Sequence, residues 1–170
     1  MAELARARVS TVKVAPAEQL PFKDGWFERA LMWLVVHLVD RPHAFAEAAR
    51  VLGPEGRLAI GTFHPEHFER YWLKRFFPSL EAIDKARFPT PEELDAELAA
   101  AGFARVEQHR LTQTASVGRE RAIERVRGLF ISPLQLLDEN ELEQGLERMQ
   151  SELPERNEYA LEWLVAVAYR

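Results

Sequence analysis

The chain has 170 residues, enough for one globular domain with its own hydrophobic core. Its residues are 47% hydrophobic and 29% charged, a balance that excludes a disordered chain. The net charge of −5 argues against nucleic acids or anionic membranes as partners, because both are bound by basic surfaces. The lack of cysteine excludes disulfides and cysteine nucleophiles and fits a reducing compartment, so we expect a cytoplasmic protein.

The glycines exclude the common nucleotide-binding loops. No two of the eight glycines are separated by a single residue, so the chain has no Gly-x-Gly motif. Gly56 and Gly61 have the spacing of a P-loop, but Thr62 and Phe63 stand where Lys and Ser or Thr are required. The longest uncharged apolar run, Ala30–Val36, is far too short to cross a bilayer.

The first 36 residues predict a helix followed by two strands. The helix ends near Val9, and Val12–Ala15 alternates as a short strand that Pro16 stops. A turn over residues 20–25 leads into Ala30–Val36, whose continuous apolar character is typical of a strand buried on both faces.

A crossover unit is predicted next. A helix begins at Asp40-Arg-Pro42, because proline suits the first helical turn, and ends at Leu52-Gly53-Pro54. Arg57–Ile60 then predicts another strand. A strand, a helix and a strand at this spacing indicate parallel pairing.

The rest of the chain predicts helical segments and two strands. In chain order they are a helix over Pro65–Phe77, a helix from the capping box Thr90–Glu93 to Gly102, a strand over Phe103–Leu111, helices between Arg119 and Leu153 with a second capping box at Asp138–Glu141, and a strand over Tyr159–Tyr169. We interpret the chain as a single α/β domain, with a core at about residues 1–112 and 158–170 and a helical insertion at about residues 113–157.

Several of these segments together resemble one family. They are Ala17-Glu-Gln-Leu-Pro-Phe22, Trp26-Phe-Glu28, Val36-His-Leu38, Arg50-Val-Leu-Gly-Pro-Glu-Gly-Arg57 and Phe88-Pro-Thr-Pro-Glu-Glu-Leu94 with Ala101-Gly-Phe103. In this order they resemble the class I S-adenosylmethionine-dependent methyltransferases, in particular the UbiE-like branch that acts on small molecules. The resemblance covers nearly the whole chain. It implies a Rossmann-like sheet flanked by helices, with a C-terminal antiparallel strand, and S-adenosylmethionine as the cofactor.

The resemblance also implies that the sheet is incomplete. Residues 1–8 resemble the second helix of the family, which follows the Gly-rich loop and the acidic residue that hold the methionine and ribose parts of the cofactor. We therefore expect Met1 to be an internal methionine that serves as the start.

What the resemblance leaves of the cofactor site is its adenine side. The residues it assigns to cofactor binding are Ala17, Glu18, Leu20, Met32, Trp33 and His37. The Ala17 amide is expected to donate to the adenine ring and Leu20 to form a wall, while Pro16 replaces the usual Asp or Asn. Core packing is the alternative role for Met32 and Trp33, and a strand-end histidine with satisfied hydrogen bonds is the alternative for His37.

The acceptor side is expected just after the strand that ends near Gly61. His64 and His67 are candidates for a base, with a solvated loop position as the alternative, and they lack a third ligand for a metal. The aromatic residues of Phe68–Phe77 are candidates for lining an acceptor pocket or for packing in the core.

Two functions follow from this pattern. The first is a methyltransferase that acts on a small molecule, truncated and possibly inactive as this chain; the alternative is a non-catalytic methyltransferase-fold protein that serves as a binding or oligomeric interaction module. In either case the missing strands leave the edge of Ala30–Val36 bare. An apolar edge invites pairing, so we expect the chain to form a homodimer through it or to move its preceding strand beside it.

Overall fold

The structure is a computed structural model that describes Val9 and residues 11–170. The helix predicted before Val9 lies outside the described residues. The strands are β1 (Phe27–Trp33), β2 (Leu52–Phe63), β3 (Arg105–Gly118) and β4 (Arg156–Tyr169). The helices are α1 (Arg41–Val51), α2 (Pro65–Arg70), α3 (Ser79–Lys85), α4 (Pro91–Ala100), α5 (Arg119–Arg127) and α6 (Glu139–Glu152), with short 3-10 helices at Trp72–Arg75 and Ser132–Leu136.

The four strands form one sheet in the order β1-β2-β4-β3. The start of β2 lies beside the start of β1, since a Cβ on Gly53 would stand 3.8 Å from the Phe27 carbonyl oxygen. β1 and β2, joined through α1, therefore run parallel, as the crossover prediction requires.

The last strand, β4, is antiparallel to both of its neighbours. Near its beginning, Arg119 N donates to Glu155 O at 3.0 Å, and at its end Ala104 N donates to Tyr169 O at 2.8 Å. The backbone hydrogen bonds between β4 and β2 also show that these two strands run in opposite directions. The α/β fold with a C-terminal antiparallel strand is thus confirmed.

The chain divides into two compact units. Unit 1 comprises Met1–Ile60, Glu93–Glu107 and Ala166–Arg170, and unit 2 comprises Gly61–Glu92 and Gln108–Val165. The proposed helical insertion at about residues 113–157 falls within unit 2.

In unit 1, α1 and β2 supply most of the core. The Asp40 carboxylate caps α1 by accepting from His43 N, and Pro42 lies in the first turn, as predicted. The completely buried apolar side chains of this unit are Ala44, Phe45, Leu52, Leu58, Ile60, Leu94 and Leu98, together with Val36, Ala166 and Ala168. The helix predicted from Thr90 is also confirmed as α4, and Gly102 follows it at a φ of +94°.

In unit 2, the core is built around the aromatic side chains that follow α2. Phe77 is fully buried and packs against Gly145 of α6, where an added Cβ would come within 2.0 Å of the ring. The glycine is therefore required by the close approach of the ring. The other buried members are Leu73, Phe76, Leu80, Val117, Ala122, Ile123, Val126, Leu134, Met149 and Leu153.

The strand predicted over Val12–Ala15 is wrong. A strand needs a neighbour for its backbone hydrogen bonds, and no described segment pairs with this one. Lys13 instead donates to the Pro21 carbonyl at 3.1 Å and lies 4.8 Å above the Phe22 ring. The expectation that a preceding strand moves beside β1 is wrong for the same reason.

The prediction of a strand buried on both faces at Ala30–Val36 is wrong in extent and in burial. β1 ends at Trp33, and the side chains of Leu31 and Trp33 are 68% and 51% exposed. Among the described residues β1 has β2 as a neighbour on one side and none on the other. In the part of the chain that the structure describes, this edge of β1 is therefore unpaired.

The single helix predicted over Pro65–Phe77 is interrupted. α2 ends at Arg70, Tyr71 is extended (φ −65°, ψ 122°), and the chain continues as a 3-10 turn. The large apolar side chains of this stretch would cover most of the circumference of one straight helix, and the break lets them turn to one core.

The second capping box, Asp138–Glu141, forms only in part. Asp138 caps α6 by accepting from Asn140 N at 2.9 Å, but the Glu141 carboxylate accepts from Ser79 N at the start of α3 instead. No helix among the described residues is long and apolar enough to cross a bilayer.

Candidate functional site

Arg50 of α1 fixes the segment over residues 17–24, which carries three of the predicted cofactor residues. All five of its N–H groups are used as donors. The acceptors are Phe22 O (2.9 Å) and Asp24 Oδ1 (2.6 Å) for Nη1, Leu20 O (3.1 Å) and Glu47 Oε2 (2.8 Å) for Nη2, and Glu47 Oε1 (2.7 Å) for Nε. Because a planar guanidinium makes these bonds in one fixed geometry, the loop has little freedom to move relative to α1.

Glu47 completes this arrangement. Its carboxylate forms a two-point pair with Arg50 and also accepts from Leu20 N at 2.7 Å. Hydrogen bonds from Arg50 and then from Leu20 N lower the pKa of Glu47 from 4.5 to about 2. The stabilising contribution of this depressed carboxyl is present above about pH 4.5 and is lost as the pH falls toward 2.

Glu18 joins the same segment to the loop that follows β1. Its Oε1 accepts from Asp40 N, at the beginning of α1, over 2.8 Å. The residues around Ala17 are thereby held against residues 34–40. The structure thus gives the Glu18 carboxylate a positioning role in addition to its predicted place at the site.

Ala17 presents a backbone donor that none of the described residues accepts from. Gln19 N donates to Pro16 O at 3.2 Å, so Ala17 occupies the second position of a turn. Its own N–H donates to no acceptor among the described residues. The Leu20 side chain nearby is half-buried.

The other predicted residues lie at the end of β1 and in the loop after it. Met32 is half-buried and Trp33 half-exposed, so complete burial in the core, the alternative for both, does not occur. Leu34 turns the chain with a φ of +51°, a left-handed conformation that costs a non-glycine residue roughly 1 kcal/mol. His37 is half-buried, with its Nδ1 atom shielded from solvent.

This set of groups fits a flat heterocycle. The backbone N–H of Ala17, which has no acceptor in the described part of the chain, matches a ring nitrogen acceptor. The half-buried apolar side chains of Leu20 and Met32 match the faces of such a ring. The residues present therefore fit the adenine end of S-adenosylmethionine.

The two histidines after β2, in unit 2, have structural partners. His64 caps α2, with its Nδ1 accepting from Glu66 N at 3.3 Å. His67 is only 2% exposed and stacks on Phe63 at 4.1 Å between ring centroids. The solvated loop position considered for both is therefore wrong for His67, which lies in α2.

Burial sets the ionisation of His67. Removal from water lowers its pKa from 6.5 to about 4, against a smaller raising effect of Glu162. The ring is thus neutral at physiological pH, and its Nδ1 accepts from Glu162 N at 3.5 Å. His67 is placed to pack in the aromatic core of unit 2.

The aromatic stretch divides between the two roles considered for it. Phe68, Phe76 and Phe77 are at most 3% exposed and belong to the core, whereas Tyr71 and Trp72 are half-buried.

Among Val9 and residues 11–170, no group of three or more His, Cys, Asp or Glu side chains is arranged to hold a metal ion.

Comparisons with known proteins agree with this architecture. Residues 1–60 match the sequence profile of a family described as "Methyltransferase domain". The chain is 37% identical over 116 residues to the malonyl-(acyl-carrier protein) O-methyltransferase of Geobacter sulfurreducens, a match that covers 61% of this chain and 41% of that protein. It is 25% identical over 139 residues to the ubiquinone/menaquinone biosynthesis C-methyltransferase UbiE of Geotalea daltonii, covering 66% of this chain and 59% of that one.

Solved structures give the same result for the fold. A SAM-dependent methyltransferase of Thermotoga maritima is 28% identical and superposes with a TM-score of 0.59 over 99% of this chain and 68% of the other. The YcgJ protein of Bacillus subtilis, 18% identical, superposes with a TM-score of 0.54 over 91% of this chain and 68% of its own, which shows the fold alone.

The fold is thus that of the Rossmann-like methyltransferases. With the profile match over residues 1–60 and the relatives above, the chain is similar to the class I S-adenosylmethionine-dependent methyltransferases, and among them to the UbiE-like branch. The chain spans about half the length of the curated relatives it matches. The matched share is 41% of the Geobacter sulfurreducens protein and 59% of the Geotalea daltonii protein.

The sequence interpretation missed the residues that build the site's frame. Glu47 and Arg50 stand three residues apart on a helix, a spacing that by itself predicts a side-chain pair. Arg50 also opens one of the segments that carry the family resemblance. What the spacing could not show is that the pair reaches 26 to 30 residues back along the chain, to Leu20, Phe22 and Asp24.

Proposed function

We propose that this protein takes part in the S-adenosylmethionine-dependent methylation of a small molecule. The observation that carries the proposal is the coincidence of two findings in unit 1. Residues 1–60 match the methyltransferase domain profile. Within them Arg50 fixes the segment around Ala17, whose N–H has no acceptor among Val9 and residues 11–170. The named substrates of the relatives, a malonyl group on an acyl carrier and a quinone, support a small acceptor.

The cofactor is held, in this proposal, by the six residues named from the resemblance. The N–H of Ala17 donates to the adenine ring, and Leu20, Met32 and Trp33 contact its faces. Glu18 acts by fixing the loop over residues 34–40, where His37 lies at the border of the site.

When bound, S-adenosylmethionine supplies a methyl group on a positively charged sulfur, which needs no further activation by the protein. The task of this chain is therefore to bind and orient, and the fixed geometry of the Arg50 contacts serves that task. We assign neither histidine after β2 as a base, since His64 Nδ1 caps a helix and His67 is buried.

The proposal is tested by removing the Ala17 donor alone. Ala17→Pro deletes the N–H at a turn position whose φ suits proline, so the fold is preserved. We expect the affinity for S-adenosylhomocysteine, measured by calorimetry, to fall about five- to ten-fold, the worth of one hydrogen bond.

Ala17→Ser is the matched control, because it keeps the N–H while changing the side chain. Its affinity for S-adenosylhomocysteine should stay within about two-fold of the parent. Equal affinities for all three proteins would contradict the assignment of Ala17, and no binding by the parent chain would contradict cofactor binding itself.

We also propose that two copies of the chain pair through the bare edge of β1. The exposed Leu31 gives this edge the apolar character that favours association. Leu31→Lys is expected to convert a dimer into a monomer in light scattering, whereas Leu136→Lys, which charges an equally exposed leucine elsewhere, leaves the dimer intact.

A monodisperse monomer of the parent chain would contradict the edge proposal without affecting the cofactor site.

We also propose that the protein is located in the cytoplasm, because its cysteine-free composition fits a reducing compartment.

A further inference from the structure

A basic pocket with aromatic walls lies in unit 2. Its volume is about 460 Å³, within the range of small-molecule sites. Three cations line it, Arg70, Lys74 and Arg75, whereas Glu81 is the one acidic side chain in its wall among the described residues. In a chain with a net charge of −5, this local excess of positive charge is unusual.

Each of the three cations pairs with a carboxylate that a second cation shares. Arg70 lies 3.3 Å from Glu66, Lys74 lies 3.0 Å from Glu81, and Arg75 lies 3.0 Å from Glu152. The second cations are Arg110 on Glu66 at 2.7 Å, Lys85 on Glu81 at 2.9 Å, and Arg148 on Glu152 at 3.3 Å. Glu69 also pairs with Lys85 and Glu162 with Arg110, so five carboxylates meet six cations and the network keeps one net positive charge.

The outer cation is the nearer partner of Glu66 and, by 0.1 Å, of Glu81, whereas Arg75 of the pocket lies nearer Glu152 than Arg148 does. The pKa of Glu66 is lowered first by Arg110, that of Glu81 first by Lys85, and that of Glu152 first by Arg148. The pocket cations thus share their carboxylates with the outer cations. Their side chains are also reachable, since Arg70 and Arg75 are 68% and 60% exposed and Lys74 is 37% exposed.

The remaining wall of the pocket is apolar and contains two buried donors. Tyr71, Trp72 and Phe76 supply ring surface beside Leu153 and Pro154. Trp72 Nε1 and Asn157 Nδ2 are both shielded from solvent and have no hydrogen-bond acceptor among the described residues. Buried donors without a partner are rare in folded proteins, and both of these belong to residues that line the pocket.

From these contacts we infer that the pocket binds a small organic anion, a molecule with a flat apolar ring and a carboxylate or phosphate group. The ring packs on Tyr71 and Trp72, and the oxyanion is bound by Lys74 and Arg75. This inference does not rest on the proposed methyltransferase function, because a chain that fails to bind S-adenosylhomocysteine can still bind such an anion.

The test is calorimetry on the full chain with four probes: phenyl phosphate, benzoate, inorganic phosphate and phenol. At low salt we expect one site per chain, with phenyl phosphate or benzoate binding about ten-fold more tightly than both phosphate and phenol. The two ring-bearing anions distinguish a phosphate from a carboxylate ligand. No saturable binding of either anion, or equal binding of inorganic phosphate, would overturn the inference.

A charge-matched pair of double variants separates the pocket from the overall charge. Lys74→Gln with Arg75→Gln should weaken binding of the ring-bearing anion about ten-fold or more. Lys23→Gln with Arg127→Gln removes the same charge from exposed positions outside the pocket and should stay within about two-fold. An equal loss in both double variants would overturn the inference, since it would show a general effect of net charge.

Trp72→Phe tests the pocket without altering any charge. It keeps an aromatic surface and removes the indole N–H, so anion binding should weaken about three-fold while phenol binding stays unchanged. Unchanged anion binding in this variant and in the Lys74/Arg75 double variant together would place the ligand elsewhere.

Discussion

The two units of this protein are stabilised in different ways at the places where function is proposed. In unit 1, a single guanidinium, that of Arg50, fixes an irregular loop through its backbone carbonyls and through Glu47. In unit 2, the packing of rings around Phe77 stabilises the region, and charged side chains form ion pairs at the surface. The comparison suggests that unit 1 presents backbone groups to a ligand, whereas unit 2 presents side chains.

The largest effect is expected from overfilling the core of unit 2. Gly145→Ala places a methyl group where the Phe77 ring already stands, 2.0 Å from Cε1, and neither α6 nor the buried ring can move freely. We expect a loss of about 3 kcal/mol in the free energy of unfolding, measured by chemical denaturation.

Ser151→Ala on the same helix is the control, because Ser151 is exposed and its substitution should change stability by less than about 0.5 kcal/mol. If Gly145→Ala is as stable as this control, or more stable through the better helix propensity of alanine, the ring packing does not limit the core as described.

A pH-dependent effect is expected from Asp84, a buried carboxyl of unit 2. Burial raises its pKa from 3.8 to about 6, despite the opposing influence of Arg87. The folded state therefore holds this proton more tightly than the unfolded state, and the carboxyl costs stability as the pH rises from about 4 to 6.

Asp84→Asn should accordingly be more stable than the parent above about pH 6, by on the order of 2 kcal/mol, and similar to it below about pH 4. His67 has the opposite pH dependence, because its depressed pKa of about 4 makes stability fall as the pH decreases from 6.5. Comparing variant and parent at each pH cancels that contribution. Ser151→Ala, at an exposed position of α6, changes no titratable group and should show no such pH-dependent difference.

The sequence predicted much of the fold because many of the signals were local. The cap at Asp40 and Pro42 and the start of α4 at Thr90-Pro91 were confirmed where the pattern placed them. Strand pairing was less predictable: Val12–Ala15 has the alternation of a strand but no neighbour to bond with. A strand is defined by its partner, which a local pattern does not contain.

The candidate sites were likewise predictable only where the signal was local. The segments that carry the family resemblance led to Ala17, Glu18 and Leu20, which do lie in one clamped loop. The pocket with Lys74 and Arg75 could not be predicted, because it depends on the break at Tyr71 that turns the cations and the rings to one wall. No periodic pattern in the sequence marks that break.

A smaller, local effect is expected in unit 1. Arg50→Lys keeps the charge but loses the planar five-donor geometry, so the loop over residues 17–24 should open more often. We expect hydrogen exchange at the Leu20 and Gly25 amides to become about ten-fold faster, while amides in the core of unit 2 are unchanged. Exchange that is equally fast in the parent and the variant would show that the clamp does not hold the loop.

The most direct test of the central claim, that unit 1 carries the cofactor site, is a titration of the isotope-labelled chain with S-adenosylhomocysteine observed by NMR. We predict saturable shifts at the amides of residues 17–20 and 32–38, with the pocket residues Lys74 and Arg75 unaffected. A cofactor site in unit 1 is contradicted if no amide signal shifts at about 1 mM ligand, or if the largest shifts fall in unit 2.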